Sequence, residues 1–179
     1  MIAKQKIIAL CGSTRANSTN HRFVQAISDL SADYFDIHFF KETDQLPHFN
    51  PDLDNENAPE IIRAFRQTLR AANGILICTP EYAMGVPGTL KNAIDWTVSS
   101  MEFSQKPLAL ITASSLGQKA HASLLETLKV IEAKMTEETQ LLISFAQTKI
   151  NQNNEITDPA TLNQCMKLLR SFNKIIESQ

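Results

Sequence analysis

This 179-residue sequence predicts an α/β fold, a five-stranded parallel sheet with helices on both faces. Three observations carry the prediction. Five apolar, β-rich segments recur along the chain, each followed by a stretch of helical periodicity. Two of them, Gly74–Thr79 and Pro107–Ala113, are apolar at nearly every position, as strands buried on both faces are. The first, Ile7–Cys11, runs directly into a hydroxyl-rich loop that opens a helix, the strand–turn–helix unit of doubly wound sheets.

The elements follow in order. After Ile7–Cys11, a helix is expected over about residues 18–31, with Phe23, Ile27 and Leu30 on one face. Phe35–Phe40 alternates apolar and polar residues, the pattern of a strand nearer an edge. Gly74–Thr79 and Pro107–Ala113 are the central strands, and Thr139–Phe145 supplies a fifth. Helices are expected near Pro59–Ala72, Gly88–Ser100, Gly117–Lys134 and Pro159–Glu177. The last carries Leu162, Met166, Leu169, Phe172, Ile175 and Ile176 as a core-facing stripe. The segment Gln45–Pro59 departs from this alternation. Pro47, Pro51 and Pro59 exclude a regular helix or central strand, which leaves either the rim of a site or a solvated connection.

Length and composition narrow the class. One domain over residues 1–179 is expected, with 43% hydrophobic and 20% charged residues. A net charge of −2 gives no electrostatic case for nucleic acid or an anionic membrane. Cys11, Cys78 and Cys165 are widely spaced in mostly apolar sequence and read as reduced core residues. No apolar run approaches the roughly 20 residues that span a bilayer. The first strand begins too early to leave room for a signal peptide, so a cytoplasmic location is expected.

The chemistry concentrates at strand ends. The loop Gly12–Asn20 offers hydroxyls from Ser13, Thr14, Ser18 and Thr19, the fork of Arg15, and free amides at a helix start. Together these suit a phosphate; an ordinary turn whose serines merely cap the helix is the alternative. The loop lacks the Lys-Ser/Thr pair of a Walker loop and the three glycines of a dinucleotide fingerprint. Only three residues separate Cys11 from Arg15, where a tyrosine-phosphatase loop needs five, so Cys11 reads as a packed strand residue.

In a doubly wound sheet ligands sit at the carboxyl ends of the strands. After the third strand comes Pro80-Glu81-Tyr82-Ala83-Met84-Gly85-Val86-Pro87-Gly88, where Tyr82 can lie against a flat ring or serve as plain loop packing. Trp96 further on reads as core. After the fourth strand, Ser114-Ser115-Leu116-Gly117 again allows close backbone approach.

Gly12-Ser13-x-Arg15-x-x-Ser18-x-Asn20 and Pro80-Glu81-Tyr82 followed by Pro87-Gly88-x-Leu90-Lys91-Asn92-Ala93-Ile94-Asp95-Trp96 resemble the motifs of the NADPH-dependent FMN reductase family, a flavodoxin-like group of quinone, chromate and azo-dye reductases. Leu46–Leu53 is also similar to that family's loop after the second strand. The resemblance implies a flavodoxin-like three-layer sandwich of strand order 2-1-3-4-5 and a bound FMN. Its phosphate would lie among Ser13, Arg15, Ser18, Thr19 and Asn20. Its ring system would lie against Pro80, Glu81, Tyr82, Ala83, Met84 and Gly85, closed on the other side by Ser114, Ser115 and Gly117. The family commonly has Asn and Ser where this chain has Ala83 and Gly85, so two polar groups near the flavin are missing.

No acid–base pair or metal cluster stands out, and His21, His38, His48 and His121 are scattered. That fits a flavoenzyme, in which the cofactor carries the chemistry and the protein positions it. The resemblance implies an oxidoreductase that takes reducing equivalents from NADPH or NADH through FMN to a small acceptor, with no strictly catalytic residue, as a homodimer or homotetramer. A flavodoxin-type electron carrier and a non-catalytic flavin-binding protein are the alternatives.

Overall fold

The computed structural model describes residues 4–15 and 17–179. Five strands, β1 (Gln5–Cys11), β2 (Phe35–Phe39), β3 (Gly74–Thr79), β4 (Leu108–Ala113) and β5 (Gln140–Ile143), pair in parallel in the order β2-β1-β3-β4-β5. The helices are α1 (Thr19–Leu30), α2 (Glu60–Arg70), α3 (Gly88–Asp95), α4 (Gln118–Val130) and α5 (Pro159–Glu177). This is the flavodoxin-like order that the motif resemblance implies.

Side-chain alternation along the central strands divides the core in two. On β3, Leu76 and Cys78 point to a cluster with Phe23 and Ile27 of α1 and Cys165, Leu168 and Phe172 of α5. Ile75 and Ile77 point the other way, to Ile62, Phe65 and Leu69 of α2, Leu90 and Ile94 of α3, and Leu124 and Leu128 of α4. Both central strands are buried along their whole length, whereas β2 alternates buried and exposed at the sheet edge.

Element ends differ from the sequence reading in three places. α3 stops at Asp95 instead of reaching Ser100, because the chain tightens after it: Thr97 donates its hydroxyl to the Ile94 carbonyl at 2.6 Å, and Met101 adopts a left-handed backbone (φ 61°). α4 ends at Val130, and the chain then turns so that Lys134 N–H meets the Lys106 carbonyl. β5 ends at Ile143, where hydrogen bonds to the loop after β4 pull the chain off the sheet: Phe145 N–H donates to the Ser115 carbonyl (2.9 Å) and Ala146 N–H to that of Ser114 (3.0 Å).

The proline-rich segment 45–59 is neither loose nor part of the cleft described below. Trp96 Nε1–H donates to the Pro47 carbonyl at 2.7 Å, and the Asn92 side chain bonds both Phe49 N–H (2.7 Å) and the Pro47 carbonyl (3.0 Å). Phe49 packs edge-on against the buried Trp96 ring. Arg66, itself nearly buried, ties Asp54 to the Trp96 carbonyl. Burial opposes ionisation of Asp54, but hydrogen bonds from Arg66 and Ser99 and the Arg66 charge outweigh it and hold the carboxyl below its usual range.

Candidate functional site

The site is built where β1, β3, β4 and β5 release the chain at their carboxyl ends. Gly12 leaves β1 against Thr79; a Cβ on Gly12 would stand 2.3 Å from Thr79 Oγ1, so only glycine allows this approach. The loop then turns inward. Ser13 is nearly buried, and its hydroxyl accepts from Arg15 N–H at 3.4 Å and lies 3.5 Å from the Tyr82 hydroxyl. Ser18 caps α1, accepting from His21 N–H at 3.0 Å. Arg15 itself is exposed.

After β3, residues 82–85 close a two-residue turn. Tyr82 N–H bonds the Gly85 carbonyl (3.0 Å) and Gly85 N–H that of Tyr82 (2.9 Å), with positive φ at both Ala83 (48°) and Met84 (61°). This is the type I′ geometry. Tyr82 is half exposed at the base of the turn. Glu81 faces elsewhere: its N–H donates to Ser114 Oγ (3.2 Å) and its carboxylate accepts from Ala120 N–H (2.8 Å) in the first turn of α4. Gly117 precedes α4 with φ 94°, where a Cβ would meet Leu142 Cδ1 at 2.8 Å.

These loops enclose a cleft of about 450 Å³. Among the residues expected from sequence, Ser13, Arg15, Ser18, Thr19, Asn20, Pro80, Glu81, Tyr82, Ser114 and Ser115 line it. Ala83, Met84, Gly85 and Gly117 do not; the first three form the outer turn, and Gly117 shapes the loop from behind. Asn20 lines the cleft, but its side chain is committed inward, donating to the Ala113 carbonyl (3.2 Å) and accepting from the Cys78 thiol (3.3 Å). Phe145, Ala146, Gln147 and Thr148 complete the wall and were missed by the sequence reading. The signal was available: the rule that ligands gather at strand carboxyl ends holds for β5 as well.

Cys11 lies at the end of β1 beside a second hollow of about 410 Å³ on the β2 side, shared with Ser13, Thr14, His21 and Lys41. Burial pushes its thiol up to about 11, so it is protonated at neutral pH and suited to packing rather than attack. Burial likewise raises Cys78 and pushes Cys165 up to about 12. His121 bonds the Thr112 hydroxyl through Nδ1 at 2.8 Å, and burial lowers its pKa. Among the described residues, no three His, Cys, Asp or Glu side chains gather as metal ligands.

A family model for NADPH-dependent FMN reductases matches residues 5–148. The chain belongs to the NADPH-dependent FMN reductase family. Two curated relatives extend the match along nearly the whole chain. A 2-hydroxy-1,4-benzoquinone reductase of a Burkholderia species is 32% identical over 93% of this chain and 91% of its own length. A quinone reductase of Escherichia coli K12 is 28% identical over 99% and 98%. Among solved structures, the flavoenzyme NAD(P)H:(acceptor) oxidoreductase FerB of Paracoccus denitrificans superposes with a TM-score of 0.86 at 26% identity, covering 97% of this chain and 98% of that one. The FMN reductase family match includes β1 to β5 and the whole cleft, and stops just before α5.

Proposed function

We propose that the protein is an NAD(P)H-dependent FMN oxidoreductase that reduces a small organic acceptor of the quinone type. The observation that supports this best is the cleft itself. It joins a donor-rich end to a ring-binding end in a chain of the FMN reductase family.

The donor set suits FMN. At one end Ser13, Ser18, Thr19 and the Arg15 guanidinium surround the start of α1, whose first amides and positive dipole end favour a phosphate. At the other end Pro80–Tyr82 and Ser114–Ser115 present backbone groups and one aromatic ring to a flat heterocycle. When bound, FMN supplies the redox chemistry, accepting electrons from the nicotinamide and passing them to the acceptor. The chain's own contribution is placement. Gly12 and Gly117 allow close backbone approach, Glu81 and Ser114 lock the loops after β3 and β4 to one another, and the loop after β5 narrows the opening.

Residues 1–179 then form one FMN-binding domain. Val98, Met101 and Val130 expose an apolar surface that supports a homodimer or homotetramer, and three buried free thiols support a reducing, cytoplasmic setting. Mixing the FMN-loaded protein with NADPH without oxygen tests the reading. Rapid bleaching of the flavin followed by recovery on adding 1,4-benzoquinone is expected. A flavin that stays yellow under excess NADPH and NADH would leave a flavodoxin-like carrier instead.

A further inference from the structure

Phe145 is the least comfortable residue on the cleft wall. Its backbone is left-handed (φ 52°, ψ 36°), a conformation unfavourable for a bulky side chain, and its ring is 64% exposed. Neither feature helps the fold locally. Both are nevertheless enforced: Phe145 N–H donates to the Ser115 carbonyl (2.9 Å), and its carbonyl accepts from Thr148 N–H (3.0 Å) and the Thr148 hydroxyl (2.9 Å). Backbone strain held by surrounding hydrogen bonds beside a cleft is a mark of function. Phe145 therefore presents an apolar aromatic face to the same space that Tyr82, Ser114 and Ser115 line.

The topology says what that face can hold. Tyr82 follows β3 and Phe145 follows β5, with β4 between them, so the two walls rise about 9–10 Å apart. Aromatic rings pack with centroids roughly 4.5–7 Å apart, so a flat ring inserted between such walls can contact both. We propose that Phe145 is a specificity-determining residue, the platform on which a planar aromatic acceptor stacks. This rests on the proposed oxidoreductase function and narrows its acceptor class to fused or substituted aromatic quinones.

Three variants separate ring from backbone. Phe145→Asn removes the ring but tolerates the left-handed backbone; Phe145→Leu keeps apolar bulk without a π face; Phe145→Trp keeps the face. The first measurement is binding of 1,4-naphthoquinone to the oxidised, FMN-loaded protein by calorimetry, with no nicotinamide present. Phe145→Asn should weaken it by roughly 3- to 10-fold, the worth of one aromatic stacking contact. Phe145→Leu should fall between, and Phe145→Trp should match the wild type. In turnover the Asn variant should raise KM for naphthoquinone by a similar factor at unchanged kcat. Its rate with ferricyanide, which has no aromatic face, and its bleaching by NADPH should stay unchanged. Undiminished naphthoquinone binding by Phe145→Asn overturns the proposal. So does a parallel loss of FMN affinity, which would place the ring on the flavin instead. If wild-type protein binds naphthoquinone through Phe145 but NADPH never bleaches its flavin, the oxidoreductase reading fails and the platform survives.

Discussion

The Glu81 carboxylate accepts a hydrogen bond from Ala120 N–H at 2.8 Å, so a residue of the loop after β3 caps the helix that follows β4. The first turn of α4 has no side-chain cap of its own, since Gly117 occupies the capping position. Glu81 supplies the missing acceptor and places a negative charge at the positive end of the helix dipole. The same residue's N–H is held by Ser114, so three cleft segments move as one body.

Removing that cap should therefore loosen the cleft as well as the fold. Glu81→Ala is expected to cost about 1 kcal/mol of stability, in the range of lost N-caps, and Glu81→Gln less because an amide oxygen still accepts. Denaturant unfolding of the FMN-free protein reads the first effect. FMN release rates read the second, with Ala faster than Gln and Gln close to the wild type. Equal, unchanged release in both variants would show that the loop holds its shape without Glu81.

The turn after β3 carries two non-glycine residues at positive φ, Ala83 and Met84. Asn is favoured at the first of these positions and Gly at the second. Ala83→Asn should stabilise the protein by about 0.5–1 kcal/mol, or roughly 1–4 °C in Tm. Because residue 83 lies outside the cleft, FMN affinity should stay level. Gly85 has no positive φ, and a Cβ there would meet nothing nearer than the Tyr82 carbonyl at 3.7 Å, so Gly85→Ser should be tolerated. Thermal melts with and without FMN check all three statements.

Arg15 lies at the phosphate end of the cleft. Arg15→Ala should weaken FMN binding about 10- to 150-fold, the worth of one charge-assisted contact of roughly 1.5–3 kcal/mol. Riboflavin lacks the phosphate and should bind both proteins alike. Fluorescence titration with the two flavins distinguishes this from a general loss of the cleft.

The buried thiols give the protein an alkaline limit. The folded pKa of Cys11 is raised, so between an unfolded value near 8.5 and about 11 the folded chain retains a proton that the unfolded chain has released. Stability should fall as pH rises through that window, by up to about 1.4 kcal/mol per pH unit for each such thiol. Cys11→Ala should make the decline between pH 8.5 and 11 shallower. Flavin reduction at pH 7 should remain within a few-fold of the wild type. A Cys11→Ala protein that binds FMN but is inactive would restore a thiol mechanism.

The architecture was legible because its signals are local. Burial of β3 and β4 on both faces requires runs such as Gly74–Thr79 to be apolar throughout, and the sheet edge shows as alternation in Phe35–Phe39. α5 was readable to the residue, from Pro159 at its start to Glu177 at its end, because Pro159 and the Asp158 cap are sequence punctuation. The phosphate-type loop and the loops after β3 and β4 were legible for the same reason: their residue types and spacing lie within single short segments.

What the sequence by itself determined was the set of elements, their alternation around a parallel sheet, and the segments that meet at its carboxyl end. What only the tertiary structure decided was how each side chain there is used. Asn20 looks like a free ligand group but is tied to Ala113, 93 residues away, and Glu81 to Ala120, 39 residues away. The positive φ expected as a risk at Gly85 falls instead on Ala83 and Met84, and Phe145 reads as the end of a strand until hydrogen bonds from the neighbouring loop turn it into the cleft wall. Periodicity and turn chemistry act over a few neighbouring residues, whereas the fate of a donor or a backbone angle depends on partners that only folding brings within about 3 Å.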